Sequence, residues 1–278
     1  VPADQDAKLR KATTLPCDAV ILDLEDGVAP GRKAEARAGA IRALNDLAFG
    51  RRERVVRVNG LESPWGADDL AALRGVDPLP DAIVVPKIDN PDHVLEVAVV
   101  FDGMPVRLIP HIETARSLLA AAAIAACHHR VSALFFGAGD YLVDTGGVRT
   151  SQSLLYPRSV IAAAAAAARV DAIDTPYFRL GDVAGLERDT TDAADLGFAG
   201  KAAIHPDQIS VINRVFTPPS DRVAWARRVM VAAENTAAGA FVVDGEMADA
   251  MTLRLARRVL TAARAAENEA TRGSAGAS

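Results

Sequence analysis

The strongest constraint in the sequence is an alternation. Short, apolar, β-branched runs give way repeatedly to longer stretches with helical spacing, which is the pattern of a parallel sheet with helical crossovers. The runs are Ala19 to Asp23, Arg54 to Val58, Ala82 to Pro86, Val106 to Ile109, Ala133 to Phe136, Asp171 to Ile173 and Ala202 to Ile204, with Val1 and Pro2 as the stump of a first strand. The helical stretches between them are Gln5 to Thr13, Arg32 to Leu47, Ala67 to Leu73, Pro91 to Val99, Thr114 to Ala126, Leu155 to Arg169, Glu187 to Leu196 and Pro206 to Val215. Thr114 and Asp92 supply capping chemistry at two of their starts. Eight strand–helix units predict an α/β fold of the TIM-type (β/α)8 barrel class, closed rather than open.

Three segments are expected: a barrel over 1–215 whose first strand is truncated at its start, a C-terminal helical extension and lid over 216–265, and a disordered tail over 266–278. Thr217-Pro218-Pro219-Ser220-Asp221 breaks the chain after the barrel, and an amphipathic helix is predicted from Asp221 to Ala237. The tail is small and polar.

Composition removes whole classes of function. The chain has 278 residues, 31 Lys and Arg against 36 Asp and Glu, and a net charge of -5. That balance gives no field to gather nucleic acid or anionic lipid. No apolar run approaches the roughly 18 residues that span a bilayer. Cys17 and Cys127 are isolated, without zinc or disulfide spacing, which points to a reducing, cytoplasmic setting.

The active site of such a barrel lies at the carboxyl ends of its strands, where the loops converge. Those positions are strongly polar here: Asp23-Leu24-Glu25-Asp26 after the second strand, Arg57 and Asn59-Gly60 at the third, Pro86-Lys87 at the fourth, His111-Ile112-Glu113 at the fifth, and Gly137-Ala138-Gly139-Asp140 at the sixth. Glu113 and Asp140 follow adjacent strands. Two neighbouring carboxylates suit Mg2+, which takes oxygen ligands and keeps most of its waters. Gly137 and Gly139 imply a tight turn where backbone approaches something closely. Arg57 either holds a carboxylate or enolate of the substrate or forms a structural ion pair with Asp23, Glu25 or Asp26. Lys87 sits among acids that oppose a Schiff-base role, so it is expected to surround the site with Asp23, Glu25 and Asp26. His111 and His205 form no ligand set with each other or with cysteines. No Gly-x-Ser-x-Gly elbow, Walker loop or His-Glu-x-x-His helix appears.

Taken in order, several motifs resemble the citrate lyase beta subunit family of the HpcH/HpaI aldolase superfamily, in the branch of malyl-CoA and citramalyl-CoA lyases. They are Val1-Pro2-Ala3-Asp4, Leu22 to Val28 with Lys33 and Arg37, Arg57-Val58-Asn59, Pro86-Lys87, Ile112-Glu113-Thr114-Ala115, Gly137 to Asp140, and Leu196 to Pro206. The likeness spans about residues 1 to 260.

The resemblance implies a TIM-type barrel, usually homotrimeric, that cleaves or forms a carbon–carbon bond in a 3-hydroxyacyl-CoA thioester with Mg2+. By motif position Glu113 and Asp140 match metal ligands, and Arg57 matches the arginine that holds substrate. Lys11 falls where a family lysine meets the CoA phosphates. The turn from Gly200 to His205, with Ala203 and Ile204, matches a segment along the CoA. Phe241 to Asp249 resembles the family's C-terminal stretch, whose last residue, here Asp249, is the catalytic acid/base that reaches into a neighbouring subunit. A base of that kind needs closure and desolvation to gain basicity, which predicts a lid. The chain departs from the family at Glu246 and Ala248, and at Gly139, where a Glu often stands. Two other readings stay open: a citrate lyase beta subunit acting on an acyl-carrier-protein thioester, and a catalytically weak CoA-thioester-binding paralogue.

Overall fold

The computed structural model describes residues 1–234 and 239–275, without side-chain detail at 265 and 267–275. It divides into two compact units, Val1–Ile212 and Asn213–Ser278. The division falls three residues before the boundary at 215 expected from the strand count.

The first unit realises the alternation. Its sheet comprises β1 (Ala19–Asp23), β2 (Glu53–Arg57), β3 (Ala82–Val85), β4 (Arg107–Ile112), β5 (Ala133–Phe136), β6 (Asp171–Asp174) and β7 (Gly200–Lys201), in sequential order. Every neighbouring pair is parallel. The crossovers are α1 (Asp6–Ala12), α2 (Lys33–Asp46), α3 (Gly66–Arg74), α4 (Pro91–Val100), α5 (Ala115–Leu119) with α6 (Ala121–Ala126), α7 (Ala138–Thr145) with α8 (Ser151–Ala168), α9 (Val183–Asp195) and α10 (Pro206–Phe216).

The strands are apolar on both faces because both are covered. Val55, Ala82, Val84, Ile109, Ala133 and Phe135 form one cluster, with Ile21, Ile173 and Ala202 packed against it. These residues come from one face of strands spread across the whole sheet, so the sheet curls around them. On the other face Leu22, Val56, Ile83, Leu108, Leu134 and Phe136 are buried.

The expected closed eight-stranded barrel is not what the hydrogen bonds draw. Seven strands form, and Val1–Ala3 adds a single parallel bridge, Pro2 to Asp23, beside β1. Pro2 has no N–H to extend a ladder. The Val1 nitrogen donates to the Ile21 carbonyl (2.7 Å), Asp23 N–H to the Val1 carbonyl (2.8 Å) and Ala3 N–H to the Asp23 carbonyl (3.0 Å). The last strand, expected at Ala202 to Ile204, is the two-residue β7 just before it. Among the described residues no ladder joins β7 to β1 or to Val1–Ala3.

Three helix expectations change. The stretch from Thr114 to Ala126 is two helices broken at Ala120; α4 is capped by Asn90, whose side chain accepts from Asp92 and His93 N–H, rather than by Asp92; and α7 was not expected at all. The alanine run inside α8 is helical as composition predicts, opened by a Thr150–Ser153 capping box.

The second unit holds α11 (Ser220–Glu234), β8 (Ala240–Val243), β9 (Glu246–Asp249) and α12 (Ala250–Ala275). The extension expected over 216–265 as helix and lid holds a hairpin, β8–β9, in its Phe241–Asp249 stretch; it turns at Asp244 and Gly245, both at positive φ. The helix expected to reach Ala237 ends, as described, at Glu234; 235–238 lie outside the described residues. The tail expected to be disordered from 266 is helical to Ala275, in keeping with the helix preference of its alanine, arginine and glutamate residues. Residues 276–278 lie outside the described residues.

One buried network ties β6, β7, α8 and α9 together. Arg158 pairs bidentately with Asp174 (3.0 and 2.9 Å) and reaches Asp189 (2.9 Å), while Lys201 bridges the same two aspartates. Removing one partner leaves buried charge uncompensated. Asp174→Ala is expected to cost about 3–5 kcal/mol, read from urea unfolding; a loss under about 1 kcal/mol would mean the network is dispensable.

Candidate active site

The polar residues singled out at the strand ends gather as expected, and the local folding of the chain explains how. Asp23 closes β1 and Arg57 closes β2, and the two are cross-strand partners in the parallel register. Arg57 donates to both Asp23 oxygens (2.7 Å each), and its Nη1 lies 2.8 Å from Glu25 Oε2 and 3.3 Å from Asp26 Oδ2. The structural ion pair considered for Arg57 therefore exists, and with all three acids. Burial works to raise the Asp23 pKa, but the Arg57 hydrogen bonds override it and hold the carboxyl below its ordinary value. Asp23 also accepts from Glu25 and Gly27 N–H (3.0 Å each), which folds the Glu25–Asp26 turn over the strand end. Lys33 donates to the Leu24 and Glu25 carbonyls (2.9 Å each) and pins that turn from α2.

Glu113 sits at the centre of the acids, with a side chain 1% exposed. Its position follows from the Thr114–Ser117 capping box that opens α5, in which Ser117 Oγ accepts from Glu113 N–H (3.1 Å) and Thr114 N–H (2.9 Å). Lys87 N–H donates to Glu113 Oε1 (2.6 Å). Glu113 Oε2 lies 2.7 Å from His111 Nδ1, without the alignment of a hydrogen bond. Burial favours a raised pKa for Glu113, but the His111 contact, the Lys87 N–H and the Arg57 charge together hold it below its ordinary value.

Asp140 lies in the first turn of α7, directly after β5. Burial pushes its carboxyl upward, and the negative charges of Glu113 and Asp26 push it further, against Lys87. Glu113 and Asp140 thus act on each other as one acidic pair. Gly137, the N-cap of α7, is required by close approach: a Cβ there would lie 2.5 Å from Glu113 Cβ and 2.8 Å from His111 Nε2. Gly139 has no such constraint, since a Cβ would meet only Phe178 at 3.9 Å.

Several buried polar atoms in this cluster have no hydrogen-bond partner among the described residues: Glu113 Oε2, both Glu25 carboxylate oxygens and His111 Nδ1. Glu25 Oε2 and Glu113 Oε2 do meet Arg57 Nη1 (2.8 Å) and His111 Nδ1 (2.7 Å), yet neither accepts an aligned hydrogen bond, and a cation would satisfy them further. No group of three or more His, Cys, Asp and Glu side chains is gathered as a ligand cage among the described residues. Glu113 and Asp140 fit Mg2+, for which one or two carboxylates suffice.

Three other expected site residues, Lys11, Ala203 and Ile204, are not brought to this cluster. Lys11 is exposed in the last turn of α1, and Ala203 and Ile204 are exposed after β7. Ile204 N–H donates to Gln208 Oε1 (2.9 Å). Asp249 belongs to the second unit, at the end of β9. There its Oδ1 accepts from Met251 N–H (2.8 Å) and Thr252 N–H (3.1 Å), so the N-terminus of α12 holds it below its ordinary pKa. That is the opposite of the raised basicity a lid would have to supply.

Sequence reasoning passed over His111, which is buried, stacks on Phe135 (4.6 Å between ring centroids) and touches Glu113. The available signal was its spacing: two residues before Glu113 along a strand is the same face. Asp189 and the buried role of Lys201 were also missed, because their partners lie on other elements.

With the geometry in view, comparison with known proteins places the chain. It matches the HpcH/HpaI aldolase/citrate lyase model over residues 1–206. It is 33% identical to the mitochondrial citramalyl-CoA lyase of Homo sapiens, over 95% of this chain and 84% of that protein. Against the (3S)-malyl-CoA thioesterase of Cereibacter sphaeroides the identity is 35%, over 95% of this chain and 93% of that one. The crystal structure of CitE from Mycobacterium tuberculosis in complex with magnesium, acetoacetate and coenzyme A superposes with a TM-score of 0.80 at 34% identity, covering 95% of this chain and 96% of that one. The chain belongs to the HpcH/HpaI aldolase/citrate lyase family, and with it to the lyases.

Glu25 gives the site a measurable signature. Its burial, opposed by Arg57 and reinforced by Asp26 and Glu113, pushes its pKa up to about 7 from an ordinary 4.5. The folded protein therefore holds this proton more tightly than the unfolded chain, so the contribution to stability is full below about pH 4.5 and lost as pH rises through 7. Glu25→Gln, neutral throughout, is expected to melt higher than the unchanged metal-free protein at pH 8 and to lose that advantage at pH 5. Parallel curves at both pH values would refute this reading.

Proposed function

We propose that this protein is a Mg2+-dependent carbon–carbon lyase that cleaves, or in reverse condenses, a 3-hydroxyacyl-CoA such as malyl-CoA or citramalyl-CoA, giving a 2-oxo acid and an acyl-CoA. The observation that carries the reading is the acidic pair Glu113 and Asp140, with a Glu113 oxygen that accepts no aligned hydrogen bond, in the field of the Arg57 guanidinium.

Glu113 and Asp140 would hold the ion. When bound, Mg2+ would polarise the oxo group of the keto acid and offset negative charge on its oxygen. Arg57, fixed by Asp23, would orient the carboxylate of the same fragment; its remaining contacts to Glu25 and Asp26 keep its fork in place. In cleavage the bond between the hydroxyl-bearing carbon and the thioester α-carbon breaks, the hydroxyl loses its proton, and the α-carbon gains one. Asp249 is assigned that proton exchange with the α-carbon. Because the α12 N-terminus keeps Asp249 ionised, it would take the α-proton in the condensing direction; in cleavage the same carboxylate would take up the hydroxyl proton and then deliver it to the α-carbon, and desolvation on closure would raise its basicity. Lys11 and the Ala203–Ile204 segment are assigned to the CoA phosphates and the CoA chain; both are exposed and free to meet ligand.

The same reading includes closure of the curled sheet into a (β/α)8 barrel over 1–215, the 216–265 extension acting as a lid, and a cytoplasmic homotrimer, or dimer of trimers, in which Asp249 serves a neighbouring subunit. No helix among the described residues is long and apolar enough to cross a membrane.

The test is an assay across a panel of 3-hydroxyacyl-CoA thioesters, with and without Mg2+. Glu113→Ala is expected to lower kcat/KM by about a hundredfold or more, and Asp249→Asn to abolish turnover while leaving Mg2+ binding intact. Turnover that survives EDTA or Glu113→Ala overturns the metal assignment; turnover that survives Asp249→Asn overturns the acid/base assignment.

A further inference from the structure

We propose that Lys87 is a positioning residue and built-in counter-ion of the acidic pair: its backbone N–H fixes Glu113, and its ammonium stands in for the divalent cation when the site is empty. The inference rests on the metal reading above and concerns what this chain's own charges do toward that ion.

Two features of Lys87 meet here. The first is its backbone. Lys87 follows β3 and Pro86 with φ of 56°, in the left-handed region that a residue with a Cβ seldom adopts. In that conformation its N–H donates to Glu113 Oε1 at 2.6 Å, across from β3 to the end of β4. Strain of this kind persists where the surroundings over-determine it and function uses it. Here it aims a donor at one carboxylate oxygen and turns Oε2 toward His111 Nδ1 at 2.7 Å, with no aligned hydrogen bond.

The second feature is the side chain. The ammonium lies 3.6 Å from Glu25 Oε1, with the side chain 59% exposed. Its charge interacts with Glu25, Asp140, Asp26 and Glu113. Arg57 is engaged by Asp23, Glu25 and Asp26, whereas the Lys87 charge acts on Asp140. Without Lys87 the empty site would hold the Glu113–Asp140 pair with less compensation.

These facts set up a competition. A divalent cation at Glu113 and Asp140 is repelled by a nearby ammonium, and the same ammonium stabilises the empty site. Lysine suits the task, because its flexible four-carbon stem lets a compact charge retreat into solvent as a stronger cation arrives. Loss of the charge must therefore move two equilibria in opposite directions: the metal-free protein becomes less stable and metal binding becomes tighter. A lysine with a purely structural role would move stability alone.

The experiment uses the full chain, Lys87→Gln and Lys87→Arg, with Mg2+ titrated by calorimetry at low ionic strength and thermal melts recorded in EDTA. Lys87→Gln is expected to bind Mg2+ about tenfold more tightly and to melt lower without metal. Lys87→Arg, which restores the charge on the same backbone, is expected to return both readouts to within about twofold of the unchanged chain. Binding by the unchanged chain with an equal or weaker affinity in Lys87→Gln overturns this inference alone. Absence of Mg2+ binding by the unchanged chain overturns the metal reading, and this inference with it.

Discussion

Five acids, Asp23, Glu25, Asp26, Glu113 and Asp140, share one mouth with two cations, Arg57 and Lys87, and the surrounding architecture serves to keep that imbalance from flying apart. Arg57 is the keystone. It spans β1 and β2 at their ends, donates to both Asp23 oxygens and still reaches Glu25 and Asp26. Around it the backbone does much of the positioning, through the Asp23-bound turn, the Lys87 N–H on Glu113 and the close passage of Gly137. Rigid elements therefore hold acids that would otherwise separate, and the charge stays concentrated where a substrate or cation could use it.

The second polar network in the first unit makes the contrast clear. Arg158, Asp174, Asp189 and Lys201 are buried as well, but cations and carboxylates there alternate and the aspartate oxygens are paired. Such a network stabilises one arrangement of β6, β7, α8 and α9 and asks nothing of solution. At the mouth, carboxylate oxygens of Glu25 and Glu113 are left without hydrogen-bond donors. One network is structural, its aspartates saturated by Arg158 and Lys201, with Arg149 3.7 Å from Asp189 at its margin; the other is open on the side where chemistry is expected.

The legibility of the chain in sequence follows the range of the interactions. Period-two and helical patterns are local, so seven strands and most crossovers stand close to where the alternation placed them. The misses are features decided elsewhere. Barrel closure depends on how Val1–Ala3 and the two-residue β7 find partners, which no local pattern records. Helix α7 lies under the Gly-x-Gly text that reads as a turn, and the β8–β9 hairpin lies in a segment read as helical. At the candidate site, the strand-end rule singled out Asp23, Arg57, Lys87, Glu113 and Asp140, which the fold gathers at one end of the sheet. It missed the contact of His111 with Glu113, because a lone histidine on an apolar strand carries no label of what it touches.

By itself the sequence determined the class of the fold, the end of the sheet where charge collects, and the family, since each rests on residue type and spacing along the chain. Only the tertiary structure decided how those charges are apportioned: that Arg57 is already bound to three acids, that Glu113 keeps an unpartnered oxygen, that Lys87 takes a left-handed backbone to hold it, and that Asp249 caps its own helix. The physical reason is that a charge's energy depends on distance and burial. Both are set by the packing of elements far apart in sequence, and neither is written in the identity of any single residue.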